Sequence, residues 1–116
     1  MFAGSASAVP SGQGLVSVSM PGSDGVDLEG AVKYLGGEGV LTLLIEGGPG
    51  VAGSALRAGI VDHVVLYYGA RIAAGTGLPS IAGTLDTIGD TLDVSIDGVT
   101  MLGPDLRVDA TIQKEV

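Results

Sequence analysis

The chain has 116 residues, of which 46% are apolar and only 16% charged, and its net charge is −8. That length suits one domain with one modest core, and the apolar fraction argues against disorder. The negative field argues against nucleic acid or an anionic membrane as partner, while the lack of cysteine and the single histidine exclude disulfides, thiolate catalysis and a multi-histidine metal site within one chain.

Residues 1–14 are small and polar, and the opening Met1-Phe2-Ala3-Gly4 reads as the tail of a strand. Leu15, Val16 and Val18 form a short apolar run before Pro21-Gly22, which predicts a strand. Asp24 or Asp27 can cap the helix that follows. Leu28, Ala31, Val32 and Leu35 fall on one helical face, and Gly36-Gly37 is expected to end it. Val40 to Ile45 is a continuous apolar run, the pattern of a strand covered on both faces in a parallel sheet.

Pro49 suits a first helical turn, where its missing N–H costs nothing. Val51, Ala52, Ala55 and Leu56 supply that helix's buried side, with Arg57 on the outer side and Gly59 as the stop. Val64 to Tyr68 predicts another strand. Residues 15–68 therefore read as strand, helix, strand, helix, strand, an α/β pattern with right-handed crossovers. Gly69 to Gly89 is loop-rich. Leu92, Val94 and Ile96 alternate with polar residues, as do Leu106, Val108, Ala110 and Ile112, and Gly103-Pro104-Asp105 separates them as a turn. The expected end is an antiparallel strand pair on a mostly parallel sheet flanked by helices.

The segment Leu41 to Ser54 carries the binding expectation. An apolar run stops at Glu46, passes through Gly47-Gly48-Pro49-Gly50 and enters a helix. The first turn of a helix has N–H groups without intrahelical partners at the positive end of the helix dipole. A phosphate can sit there when no Cβ blocks its approach. The chain's own charge opposes such a ligand, so local donors must hold it. Gly48 to Gly53 also spells G-x-G-x-x-G, but a dinucleotide site of the Rossmann type places an acid about 20 residues on, at the end of the next strand. That strand ends in Tyr68-Gly69-Ala70-Arg71, with no acid.

Several blocks together resemble the C-terminal part of the reductase domain of RibD-type riboflavin-biosynthesis proteins. They are Val26-Asp27-Leu28, Tyr34-Leu35 with Gly39, Leu44-Ile45-Glu46-Gly47-Gly48-Pro49, Ala58-Gly59-Ile60-Val61-Asp62, Leu66-Tyr67-Tyr68 and Gly103-Pro104-Asp105-Leu106-Arg107. Their order and spacing agree over residues 26–110. The resemblance implies a dihydrofolate-reductase-like fold, with residues 1–116 forming a partial reductase domain whose N-terminal half is missing. It implies NADPH-dependent reduction of a phosphorylated aminopyrimidine, turning a ribosylamino group into a ribitylamino group. It places the NADPH diphosphate on Gly47, Gly48, Pro49, Gly50, Val51, Ala52, Gly53 and Ser54, and the substrate on Glu46. No acid or base is named by it. The family has Ala-Pro where Gly69-Ala70-Arg71 stands here.

Plainer readings accompany each of these residues. Glu46 also suits a helix N-terminus as a simple favourable charge, and the glycine turn also suits a tight strand–helix connection that binds nothing. Arg71 reads as a loop arginine or a partner for a 2′-phosphate. His63 reads as a surface histidine beside Asp62. Asp93, Asp97, Asp105 and Asp109 read as exposed strand positions before they read as a cation site. Tyr67 and Tyr68 point to opposite faces, and Ser5 has no assigned role. A homodimer or higher homo-oligomer is expected, because low charge content and an unpaired sheet edge favour self-association. No run reaches transmembrane length and no signal peptide is visible, which predicts a cytoplasmic protein. The rival reading is a non-catalytic nucleotide-binding or oligomerisation remnant of the same domain. A third is an unrelated nucleotide-binding α/β module.

Overall fold

The computed structural model describes residues 2–3, 14, 16–23, 25–75, 77–84 and 87–114. Leu15, Asp24 and Ser5 lie outside them. The chain divides into two compact units, Met1–Glu46 and Gly47–Val116.

In the first unit, β1 (Phe2–Ala3) pairs in parallel with β2 (Val18–Ser19). A tight antiparallel pair follows, β3 (Pro21–Gly22) with β4 (Gly25–Val26). Helix α1 spans Leu28–Gly37. It begins where expected, because the Asp27 carboxylate accepts from the Gly30 N–H at 2.9 Å while its own N–H donates to the Met20 carbonyl at 2.9 Å. Ala31 is buried, with Leu28, Val32 and Leu35 half-buried on the predicted face. Gly36 and Gly37 are the last residues inside the helix. The left-handed residue that ends it is Gly39, at φ +87°.

The expected strand at Val40–Ile45 does not form: among the described residues the run pairs with no strand. Leu41 is 97% exposed and Leu44 76%. Apolar, β-branched composition makes a segment ready for a sheet, but a strand is a ladder and needs a neighbour's N–H and C=O groups.

In the second unit, α2 spans Pro49–Arg57, with Pro49 at its start as predicted. It closes through hydrogen bonds from Ala58, Gly59 and Ile60 N–H to the Ser54, Leu56 and Ala55 carbonyls, and Gly59 takes φ +66°. Strand β5 (His63–Tyr68) follows, then the loop, a short 3₁₀ turn at Ile88–Asp90, and strands β6 (Val94–Leu102) and β7 (Asp105–Ile112). The sheet order is β5-β7-β6 and both pairings are antiparallel. A mostly parallel sheet is therefore not what the described residues build; β1–β2 is their parallel pair. The reason lies in the connections. Gly103 at φ +62° opens a two-residue hairpin loop that returns β7 beside β6, and β7's other edge takes β5.

The hairpin's alternation is broken once. Register shifts between Ile96 and Gly98, so Asp97 is the extra residue of a bulge. One face of the sheet carries Val64 and Leu66 of β5, Val108, Ala110 and Ile112 of β7, and Val94 and Ile96 of β6. Ala110 in the sheet and Ala55 in α2 are the buried apolar residues of this unit, at 5% and 1% exposure.

Candidate functional site

The turn into α2 is built almost without side chains. Gly48 is the N-cap in extended conformation, and it supplies no side-chain cap. Pro49 has no N–H. The Ala52 N–H donates back to the Gly48 carbonyl at 3.1 Å, closing the first turn. Helix geometry leaves the Gly50 and Val51 amides without intrahelical acceptors. A Cβ added to Gly48 or to Gly50 would meet nothing within 4 Å. No acidic residue stands in this turn. Donors, dipole and open space thus coincide at Gly48, Gly50 and Val51, and these residues fit the diphosphate of a dinucleotide.

The other residues of the segment have packing roles in the structure. A Cβ on Gly47 would lie 2.7 Å from the Val51 Cβ, so the valine side chain folded back over the turn requires glycine there. A Cβ on Gly53 would fall on the Ala82 carbonyl, whose segment lies directly against the helix. The Ser54 Oγ accepts from Arg57 Nη2 at 3.1 Å. Ala52 is half-buried. Glu46 is exposed and is the last residue of the first unit, whereas Gly47 to Ser54 belong to the second.

Sequence reasoning missed Ala82 and Gly83, and with them the partner of Arg57. Arg57 is exposed on the outer side, as expected, and there donates to the Ala82 carbonyl at 3.2 Å. The Gly53/Arg57 spacing of one helical turn was a visible signal, but the partner lies 25 residues away in the loop.

A cleft of about 400 Å³ lies elsewhere, lined by Leu56, Val61, Leu92 and Ile112 with Asp93 and Lys114 among its polar residues. It contains none of the residues from Gly47 to Ser54. Close to it, Lys114 Nζ meets Asp62 at 2.6 Å; this hydrogen bond, and then the ammonium's charge, hold the Asp62 carboxyl below its ordinary value.

The remaining polar residues are engaged in the sheet. Arg107 forms a two-pronged pair with Asp109, which raises the arginine, and stacks at 5.9 Å over Tyr67. Thr111 Oγ1 donates to Asp97 at 2.6 Å and lies 3.1 Å from His63 Nδ1, a chain across all three strands. Asp105 accepts from the Ala70 N–H at 3.0 Å. The aspartates of β6 and β7 are thus separately occupied, and no group of three metal-ligating side chains occurs among the described residues. Arg71 is exposed. No helix among the described residues is long and apolar enough to cross a membrane.

Fold and turn together define an α/β domain whose second helix opens on a bare glycine turn. The family model of the RibD C-terminal domain matches residues 6–107, and the chain belongs to that family. It is 28% identical over 90 residues to the riboflavin biosynthesis protein RibD of Bacillus amyloliquefaciens, covering 76% of this chain and 24% of that protein. It is also similar to the crystal structure of a pyrimidine reductase-like protein from Corynebacterium diphtheriae, with a TM-score of 0.63 and 24% identity over 88% of this chain and 41% of that one. That likeness shows the fold. The chain therefore spans about a quarter of the curated relative and about two fifths of the solved one.

Proposed function

We propose that the chain is part of an NADPH-dependent reductase of riboflavin biosynthesis that reduces 5-amino-6-(5-phosphoribosylamino)uracil to the ribitylamino compound, or of a related pyrimidine or pterin reductase. The observation that carries this reading is the uncapped, acid-free first turn of α2 in a chain of the RibD C-terminal family. The 116 residues are taken as one portion of a dihydrofolate-reductase-like domain, in keeping with their share of the relatives' length.

NADPH, when bound, supplies the hydride, and the protein supplies position and electrostatics. The Gly50 and Val51 amides would hold the diphosphate through their N–H groups, and Gly48 and Gly50 keep the approach clear. Gly47, Pro49, Ala52, Gly53 and Ser54 shape that turn through backbone and packing. Glu46 accepts from the N–H donors of an aminopyrimidine or from sugar hydroxyls. A carboxylate suits that role because it offers acceptors only. The catalytic acid is left unassigned on this chain.

Titration of the purified chain with NADPH and NADP tests the cofactor reading. Saturable binding that Gly50→Asp abolishes supports it; no binding at millimolar cofactor overturns it. Turnover of the aminouracil ribosylamine phosphate, lost on Glu46→Ala, extends it to the reaction. The second reading, a non-catalytic remnant acting through homo-oligomerisation, is favoured by the exposed apolar side chains of Leu41, Leu44, Ile96, Val99 and Met101. Solution mass tests it: a homodimer or larger species is expected, and a monomer at all concentrations removes that reading.

A further inference from the structure

Resting on the cofactor reading, we propose that Arg57 is a positioning residue for the dinucleotide site: it clamps the Ala82–Gly83 backbone onto α2 and, through the bond from Ala82 to the Pro49 carbonyl, holds the turn that carries Gly48 and Gly50. The segment touches the helix through Ala82, and both backbone groups of that residue are used. Its N–H donates to the Pro49 carbonyl at 2.9 Å, and its carbonyl accepts from Arg57 Nη1 at 3.2 Å. Pro49 lies between the two glycines of the turn, so the first bond ties the segment to the turn itself. The second arm of the guanidinium reaches Ser54 Oγ at 3.1 Å. One planar fork therefore bridges loop and helix with separate donors, which an ammonium, as a single point of charge, does not reproduce.

Two glycines make room for this arrangement. A Cβ on Gly53 would collide with the Ala82 carbonyl and would lie 3.2 Å from Arg57 Nη1; a Cβ on Gly83 would lie 3.0 Å from the same nitrogen. The guanidinium thus lies, exposed to solvent, where helix backbone and loop backbone come together. Every one of these contacts lies within one compact unit. Without the clamp, the segment would have to be ordered when the ligand arrives, and that ordering subtracts from affinity.

The test uses the full chain with Arg57→Gln, Arg57→Lys and Gly53→Ala. Gly53→Ala changes no charge and raises helix propensity, so α2 is expected to stay folded while the loop is pushed away. Amide hydrogen exchange across 77–84 is measured without ligand, and NADPH affinity by titration. Arg57→Gln and Gly53→Ala are both expected to speed exchange in the segment, leave α2 protected, and weaken NADPH about tenfold, the scale of one charge-assisted hydrogen bond. Arg57→Lys is expected to fall between wild type and Arg57→Gln. Unchanged exchange in Arg57→Gln overturns the clamp. Faster exchange with unchanged NADPH affinity overturns the positioning role, as does weaker binding in Arg57→Gln that Gly53→Ala does not share, which would mark a charge effect alone. If the wild-type chain binds no NADPH, the cofactor reading fails and the positioning role with it, while the exchange data still report on the clamp.

Discussion

The two helices of this chain begin in opposite ways. Helix α1 closes its own N-terminus: the Asp27 carboxylate accepts from the Gly30 N–H, and Glu29 adds a second negative charge in the first turn. Helix α2 does neither, starting from a bare glycine with no acid in its first turn. A helix N-terminus has the same orphan amides and the same dipole in both cases. What differs is whether the sequence spends its own carboxylate there. The self-capped turn is finished as structure, and the uncapped one keeps open amides, the feature on which the proposed diphosphate site rests.

Substitutions that exchange these characters bear directly on the contrast. The largest effect is expected from Gly50→Asp, which places a carboxylate among the α2 amides; NADPH affinity should fall at least about a hundredfold, roughly 3 kcal/mol, with the far-ultraviolet circular dichroism unchanged. Gly47→Ala and Gly48→Ala separate the packing glycine from the open one. The first drives a Cβ into Val51 and should cost about 1–3 kcal/mol of stability as overpacking. The second has free space and should change the denaturation midpoint much less. Asp27→Ala should cost about 1 kcal/mol through loss of the α1 cap and leave NADPH binding untouched; a comparable loss of binding would end the distinction between the two turns.

The smallest expected effect is a pH dependence away from both helix starts. Lys114 holds the Asp62 carboxyl below its ordinary value. A depressed native value means the contribution is complete above the unfolded pKa of about 3.9 and is lost as pH falls through the lower native one. Lys114→Ala should move the Asp62 titration, followed by NMR, back up toward the ordinary value. Both groups are exposed, so the change in midpoint stability at neutral pH should be within error.

Much of this was legible in the chain. Leu28, Ala31, Val32 and Leu35 mark the face of α1, Pro49 marks the start of α2, and Gly103-Pro104 marks the hairpin, because each is a local signal with a local cause. Val40–Ile45 shows the limit of that reasoning. Its composition states that it could sit in a sheet and is silent about which strand lies beside it. The antiparallel β6–β7 pair was expected, whereas the antiparallel pairing of β5 with β7 was hidden for the same reason. At the turn, glycine letters gave no way to separate Gly47 and Gly53, which make room for Val51 and Ala82, from Gly48 and Gly50, which face open space. Arg57 was assigned by helical position alone, and its true neighbour comes from a loop far along the chain.

The hydroxyl of Thr111 has one hydrogen to give and two neighbours, and Asp97 receives it. Toward His63 the oxygen can then act only as an acceptor, so the imidazole must bring its own hydrogen on Nδ1. In the neutral ring that puts the hydrogen on Nδ1 and the lone pair on Nε2. A side chain two strands away thus decides which nitrogen of the chain's one histidine carries the hydrogen toward Thr111.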